Sequence, residues 1–266
     1  MSEKFDIGVE SEIGRLTGVI LHSPGQEVAN MTPETAERAL YSDILNLSVA
    51  RDEYQQLQGV LEARSRVFQI RDLLTEILAN NRVRGGLVRR ICEAEGVPDI
   101  ADNLLALETA ELARVLIEGV ALVKDNLSRF LSGDRYSLPP LHNFFFTRDA
   151  GVAVWNKVLI ARMANRVRGR EARILEAVFD YHPQFNARTV NPARLGGRDP
   201  ELTIEGGDVQ VAASEILVIG TGARTSRKAV DFLIERFKGL NKRQHIVVQE
   251  LPHTPESFIH LDMVFT

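Results

Sequence analysis

Five side chains suited to polar chemistry stand near the ends of apolar runs. Asp149 closes FFFTRD, Glu205 and Asp208 flank two glycines in IEGGD, and His260 and Asp262 lie two apart in IHLD. Read as a strand, IHLD puts His260 and Asp262 on one face. The glycines between Glu205 and Asp208 let backbone approach a ligand closely. Carboxylates gathered without a positive partner repel one another and take up protons, so such a cluster favours a cation. A metal ion is one answer, but a single histidine accompanies the acids and the spacings match no common metal motif. A planar guanidinium is the other, because a carboxylate accepts two parallel N–H bonds from it. Taken singly, each acid reads as a surface charge or a cap, Asp208 as a turn cap in particular. The three motifs together favour a site.

The elements that must carry these residues repeat. One copy is FTRDAGVAVWNKVLIARMANRVRGREARILEAV and a second is IEGGDVQVAASEILVIGTGARTSRKAVDFLIERF. Each reads as an apolar strand ending in an acid, a pair of apolar runs, an arginine-bearing loop and an amphipathic helix. Asp149 precedes Arg168 by 19 positions, and Glu205 precedes Arg224 by the same 19. FIHLDMVFT, Phe258–Thr266, reads as the strand opening a third copy, so the expectation is a chain that stops inside that unit. Such units predict an α/β fold of stacked or radial ββαβ modules.

Upstream, Arg15–His22 and Val67–Ile70 read as strands, and Asp43–Ala63 as a helix. From Asp72 to about Ser137 the texture changes to helical spacing, with Leu73, Leu74, Ile77 and Leu78, then Leu87 and Ile91, then Leu112 and Leu116. The expected organisation is one domain from residues 1–71 and 139–266, with a helical domain, 72–138, inserted into it.

Composition narrows the function classes. A chain of 266 residues with 44% hydrophobic residues can bury a sizeable core. Its net charge of −4, with both signs interspersed, argues against a nucleic-acid partner. No apolar run is long enough to span a bilayer, and the polar N-terminus lacks a signal-peptide core, so the default location is the cytoplasm. The one cysteine, Cys92, forms no intrachain disulfide and no cysteine-rich metal site. It shares helical spacing with Val88 and Ile91, which reads as a buried helix face. The other reading is a reactive thiol activated by Arg89 and Arg90.

In their order and spacing, HNFFFTRD, the Met163–Arg168–Glu171 pattern, IEGGDV, GARTS and HLD resemble arginine deiminases, in the guanidine-modifying superfamily. The likeness runs from SEIGRLTGVILHSPG to the last strand-like segment, and the helical block resembles the insert of true arginine deiminases. The resemblance implies a five-bladed α/β propeller, here partial, with an inserted helical domain. It implies hydrolysis of L-arginine to citrulline and ammonia through a cysteine adduct, with no metal or organic cofactor. Asp149 and Glu205 match carboxylates on the substrate guanidinium, His260 the general acid/base, and Asp262 a further site carboxylate. Arg168 and Arg224 match residues holding the substrate carboxylate, and Asn143 and Phe146 match substrate-lining positions. Two positions depart from the family pattern: His142 stands where a proline is usual, and Ser42 lies where a second acid is usual nearby. The family nucleophile lies well beyond HLD, and Cys92 matches nothing catalytic. These 266 residues alone are therefore expected to be inactive; the alternative is a non-catalytic guanidino-ligand binder. A propeller short of closure leaves open strand edges, which predicts a homo-oligomer.

Overall fold

In a computed structural model, residues 4–32, 44–195, 199–238, 243–252 and 254–265 are described. The fold is mixed α/β, in two compact units: Leu16–Phe146, and Met1–Arg15 with Thr147–Thr266. Among the described residues no helix is long and apolar enough to cross a membrane.

The unit carrying the acid motifs repeats one module twice. Gly151–Val154 pairs antiparallel with Lys157–Ile160, the helix Gly169–Tyr181 follows, and Thr189–Val190 returns parallel to Lys157–Ile160. In the second copy Val209–Ala213 pairs antiparallel with Ile216–Thr221. The helix Arg227–Phe237 follows, and His245–Glu250 lies parallel to Ile216–Thr221 over six residue pairs. The alternation read from sequence is the cause: Val152 and Val154, Val209 and Val211, and Leu217 and Ile219 point inward at a spacing of two. They share one core with Ala229, Val230 and Leu233, the inward face of a helix capped by the Ser226 side chain on the Ala229 amide.

Two expected strands are not strands. Thr147–Ala150, holding Asp149, is a single helical turn ahead of the hairpin, and Leu261–Met263, in HLD, is a 3-10 turn. His260 is extended, while Asp262 lies inside the turn, so the two do not share a strand face. The reason is local: the amides of Val264 and Phe265 both return to the Leu261 carbonyl, which closes a turn where a strand would continue.

In the other unit, Gly18–Leu21 pairs parallel with Arg66–Gln69. Between them runs the helix Leu47–Glu62, capped by the Asn46 side chain on the Ser48 and Val49 amides. The helices Ile70–Leu78, Asn81–Glu95 and Thr109–Glu118 bury the leucine and isoleucine positions read from their spacing, and Cys92 is fully buried with them. The block ends in a short antiparallel pair, Val120–Ala121 with Tyr136–Leu138. Gly119 enters it at φ +88°, where a Cβ would meet the Leu138 carbonyl at 2.7 Å, so glycine is required there.

Candidate active site

The two modules each place an acid just ahead of the hairpin. Asp149 sits in the helical turn just before the first strand of one hairpin. Glu205 sits just before the 3-10 turn Gly206–Asp208 that opens the other. The glycines explain how the points meet. A Cβ at Gly206 would lie 2.0 Å from the Arg148 carbonyl oxygen, so the two backbones abut directly. A Cβ at Gly207 would lie 2.8 Å from the His260 ring and 3.0 Å from Asp149 Oδ1, so that glycine leaves room for the side chains.

His260 sits between the two acids. Its Nε2 is 2.9 Å from Glu205 Oε2, and its Nδ1 is 3.7 Å from Asp149 Oδ1. The other Glu205 oxygen accepts the Ala164 amide at 2.9 Å, and the Glu205 amide donates to the Thr225 hydroxyl. Burial pushes the Glu205 carboxyl up, but the His260 hydrogen bond and charge, with the Ala164 amide and Arg168, hold it below its usual range. Burial pushes the imidazole down, yet the Glu205 hydrogen bond and the charges of Asp149, Glu205 and Asp208 raise it above its usual value. The protonated form of the imidazole is thus favoured although the side chain is buried.

A second charged group adjoins the first. Arg168 NH1 donates to Asp149 Oδ2 at 2.6 Å, while its Nε and NH2 donate to Glu171 at 2.8–3.2 Å. All three side chains are buried. Burial pushes the Glu171 carboxyl up to about 7, against the pull of Arg168.

Arg148 ties the rim together. It donates to the Gly206 and Val209 carbonyls, pairs with Glu12 at 3.0 Å, and lies 3.7 Å from Asp262. Burial raises the Asp262 carboxyl; the His260 charge opposes this, and the Asp149 charge adds to it.

Asp149, Glu205, His260 and Asp262 are therefore gathered in one unit. Arg168 joins them, but with its guanidinium on Asp149 and Glu171. Arg224 is half-buried in the loop before the second helix, next to the fully buried Thr225 that holds the Glu205 amide. Asn143, buried, and Phe146, about half exposed with its ring 4.4 Å from that of Phe145, belong to the other unit. His142, also there, bonds through Nδ1 to the Glu27 carbonyl, and Ser42 lies outside the described residues. Sequence reading assigned no role to Glu171, Arg148 or Glu12. Glu171 lay in a motif already noted, and Arg148 adjoins Asp149. Glu12, 136 positions from Arg148, left no signal.

The arrangement favours a cationic ligand. Asp149, Glu171, Glu205, Asp208 and Asp262 outnumber Arg168, Arg148 and a charged His260, and Glu12 already pairs with Arg148. Among the described residues, no three His, Cys, Asp or Glu side chains stand together in an arrangement able to hold a metal ion. A planar cation with several N–H donors suits the spread of carboxylates better than a point charge.

The chain is similar to known proteins. A family model described as "ADI: Arginine deiminase" matches residues 37–266. An arginine deiminase of Bacillus cereus is 34% identical over 99% of this chain and 67% of its own length. One of Borrelia garinii is 33% identical over 98% of this chain and 66% of its own length. The chain thus spans about two thirds of the length of these relatives. Among solved structures, an amidinotransferase from Microseira wollei superposes with a TM-score of 0.48 at 15% identity, covering 92% of this chain and 62% of that one.

Proposed function

The chain belongs to the arginine deiminase family, and from that premise we propose that its acid–histidine cluster is the guanidinium-binding part of a hydrolase converting L-arginine and water to citrulline and ammonia. The observation that carries this reading is His260 held between Glu205 and Asp149, with its charged form favoured.

The residues divide the work as follows. Asp149, Glu205 and Asp262 attract and orient the guanidinium so that its carbon is open to attack. A thiolate adds to that carbon, and the C–N bond to the departing nitrogen breaks as His260 gives that nitrogen its proton. His260, now neutral, takes a proton from water, the hydroxide adds to the thiouronium carbon, and the C–S bond breaks as the added hydroxyl loses its proton to the departed ammonia, releasing citrulline, ammonium and the thiolate. Arg224 in the second loop is suited to the substrate carboxylate. Arg168 serves the same end once it leaves Asp149.

Cys92, the one cysteine in the sequence, is fully buried on a helix of the other unit. We therefore assign it no catalytic role and expect these 266 residues alone to bind arginine without turning it over. The fold reading that accompanies this is the five-bladed α/β propeller type, two of whose units are the modules described. Residues 72–138 form a helical domain inserted into 1–71 and 139–266, in a cytoplasmic homo-oligomer. The Cys92 observation also favours a second reading, a non-catalytic guanidino-ligand binder.

Saturation-transfer NMR with L-arginine and agmatine tests the site. A weak arginine response is expected, weaker for agmatine and lost in Asp149→Asn and Glu205→Gln. A response unchanged by both substitutions overturns the assignment. Tight binding without citrulline release supports the binder over the enzyme.

A further inference from the structure

Two residues of the site, His260 and Asp262, flank Leu261, and it is Leu261 that the protein grips. Its amide donates to Asp208 Oδ1 at 2.9 Å, across 53 positions of sequence. Leu261 begins the 3-10 turn Leu261–Met263, so its N–H has no partner within the turn. His260, the residue before it, offers no side-chain cap. Asp208 supplies that cap from the end of the EGGD segment. Both residues are almost fully buried. Gly220 leaves the space for them: a Cβ there would lie 2.8 Å from Asp208 Oδ1 and 2.9 Å from the Leu261 Cβ.

We propose that Asp208 is a positioning residue. By holding the Leu261 amide, it sets where the HLD turn begins, and so places His260 on Glu205 and Asp262 beside Arg148. The same four-residue segment then carries both a site carboxylate, Glu205, and the anchor that brings that carboxylate its histidine. A hydrogen bond from a buried amide to a carboxylate is of the stronger kind. With it lost, the orientation of His260 rests on its ring bond to Glu205 and the Met263 amide on its carbonyl, without the anchor at the residue that follows. The charge of Asp208 also reaches His260, together with those of Glu205 and Asp149. Position and charge are separable, because asparagine keeps the Oδ1 acceptor and loses the charge. The inference rests on His260 and Asp262 being site residues. Its test needs no arginine, so its failure is distinct from an absent arginine response.

The experiment is NMR on the full 266-residue chain, wild type, Asp208→Asn and Asp208→Ala, with His260 identified by His260→Gln. In Asp208→Ala the Leu261 amide is expected to lose hydrogen-exchange protection by about tenfold or more, and the His260 titration midpoint to fall to the ordinary imidazole range. Asp208→Asn is expected to keep the Leu261 protection and most of the raised midpoint. A folded Asp208→Ala with both signals unchanged overturns the proposal. So does a folded Asp208→Asn that loses both. If Asp208→Ala does not fold, Asp208→Asn decides alone: retained signals support positioning and lost signals overturn it.

Discussion

Arg168 NH1 lies 2.6 Å from Asp149 Oδ2, so the carboxylate expected to grip a ligand guanidinium already holds one of the protein's own. Glu171 holds the same arginine from the far side through both its oxygens. A single cation therefore neutralises two buried carboxylates. A substrate guanidinium must share Asp149 through Oδ1, which faces His260, or displace Arg168.

Removing that cation should be costly. Arg168→Gln strips the cation from buried Glu171 and leaves Asp149 only His260, 3.7 Å away, and breaking a buried pair in this way costs about 3–5 kcal/mol. The double variant Arg168→Gln/Glu171→Gln should recover part of the loss, since one stranded charge goes with it. Denaturant melts of wild type, single and double variants provide the measurement. A double variant no more stable than the single one counts against the ion-pair account.

The pH dependence has a definite sign at Asp208. Burial pushes its carboxyl from 3.8 to about 6, against the Thr225 hydroxyl and the His260 charge. Between those values the folded chain keeps a proton that the unfolded chain has released, so stability falls as pH rises through about 6. The rise from 3.8 to about 6 corresponds to roughly 3 kcal/mol at full ionisation. Asp208→Asn removes this dependence. Its melting temperature relative to wild type should therefore climb between about pH 4 and 6 and level off above. A difference that stays flat across this range, or falls, contradicts the assignment.

The two glycines of IEGGD should fail differently. An alanine at Gly206 must push aside the Arg148 backbone, and backbone has nowhere to go; the loss should exceed about 3 kcal/mol, the upper end for overpacking. An alanine at Gly207 meets the His260 ring and the Asp149 carboxylate, which can turn away. Gly207→Ala should fold with a smaller loss, about 1–3 kcal/mol, and lose the arginine response. Thermal melts combined with the arginine NMR titration separate the two.

Much of this protein is local, and the sequence determines it. Inward valines, leucines and isoleucines alternate along the hairpins, and Ala229, Val230 and Leu233 recur at helical spacing. Both patterns depend only on backbone period. The equal spacing from acid to loop arginine in the two copies marked Asp149 and Glu205 as corresponding points; both stand just ahead of a hairpin, though two positions out of register when counted from the strands and helices. The tertiary structure alone decided what each charge meets. Sequence spacing gave no means of knowing that Arg168 would turn onto Asp149, that Glu12 would cross 136 positions to Arg148, or that HLD would be a turn hung from Asp208. Those outcomes depend on which backbones come into contact, and Gly206 and Gly220 control that by the side chains they lack. A period says which face of an element is buried; it does not say which distant atom waits there.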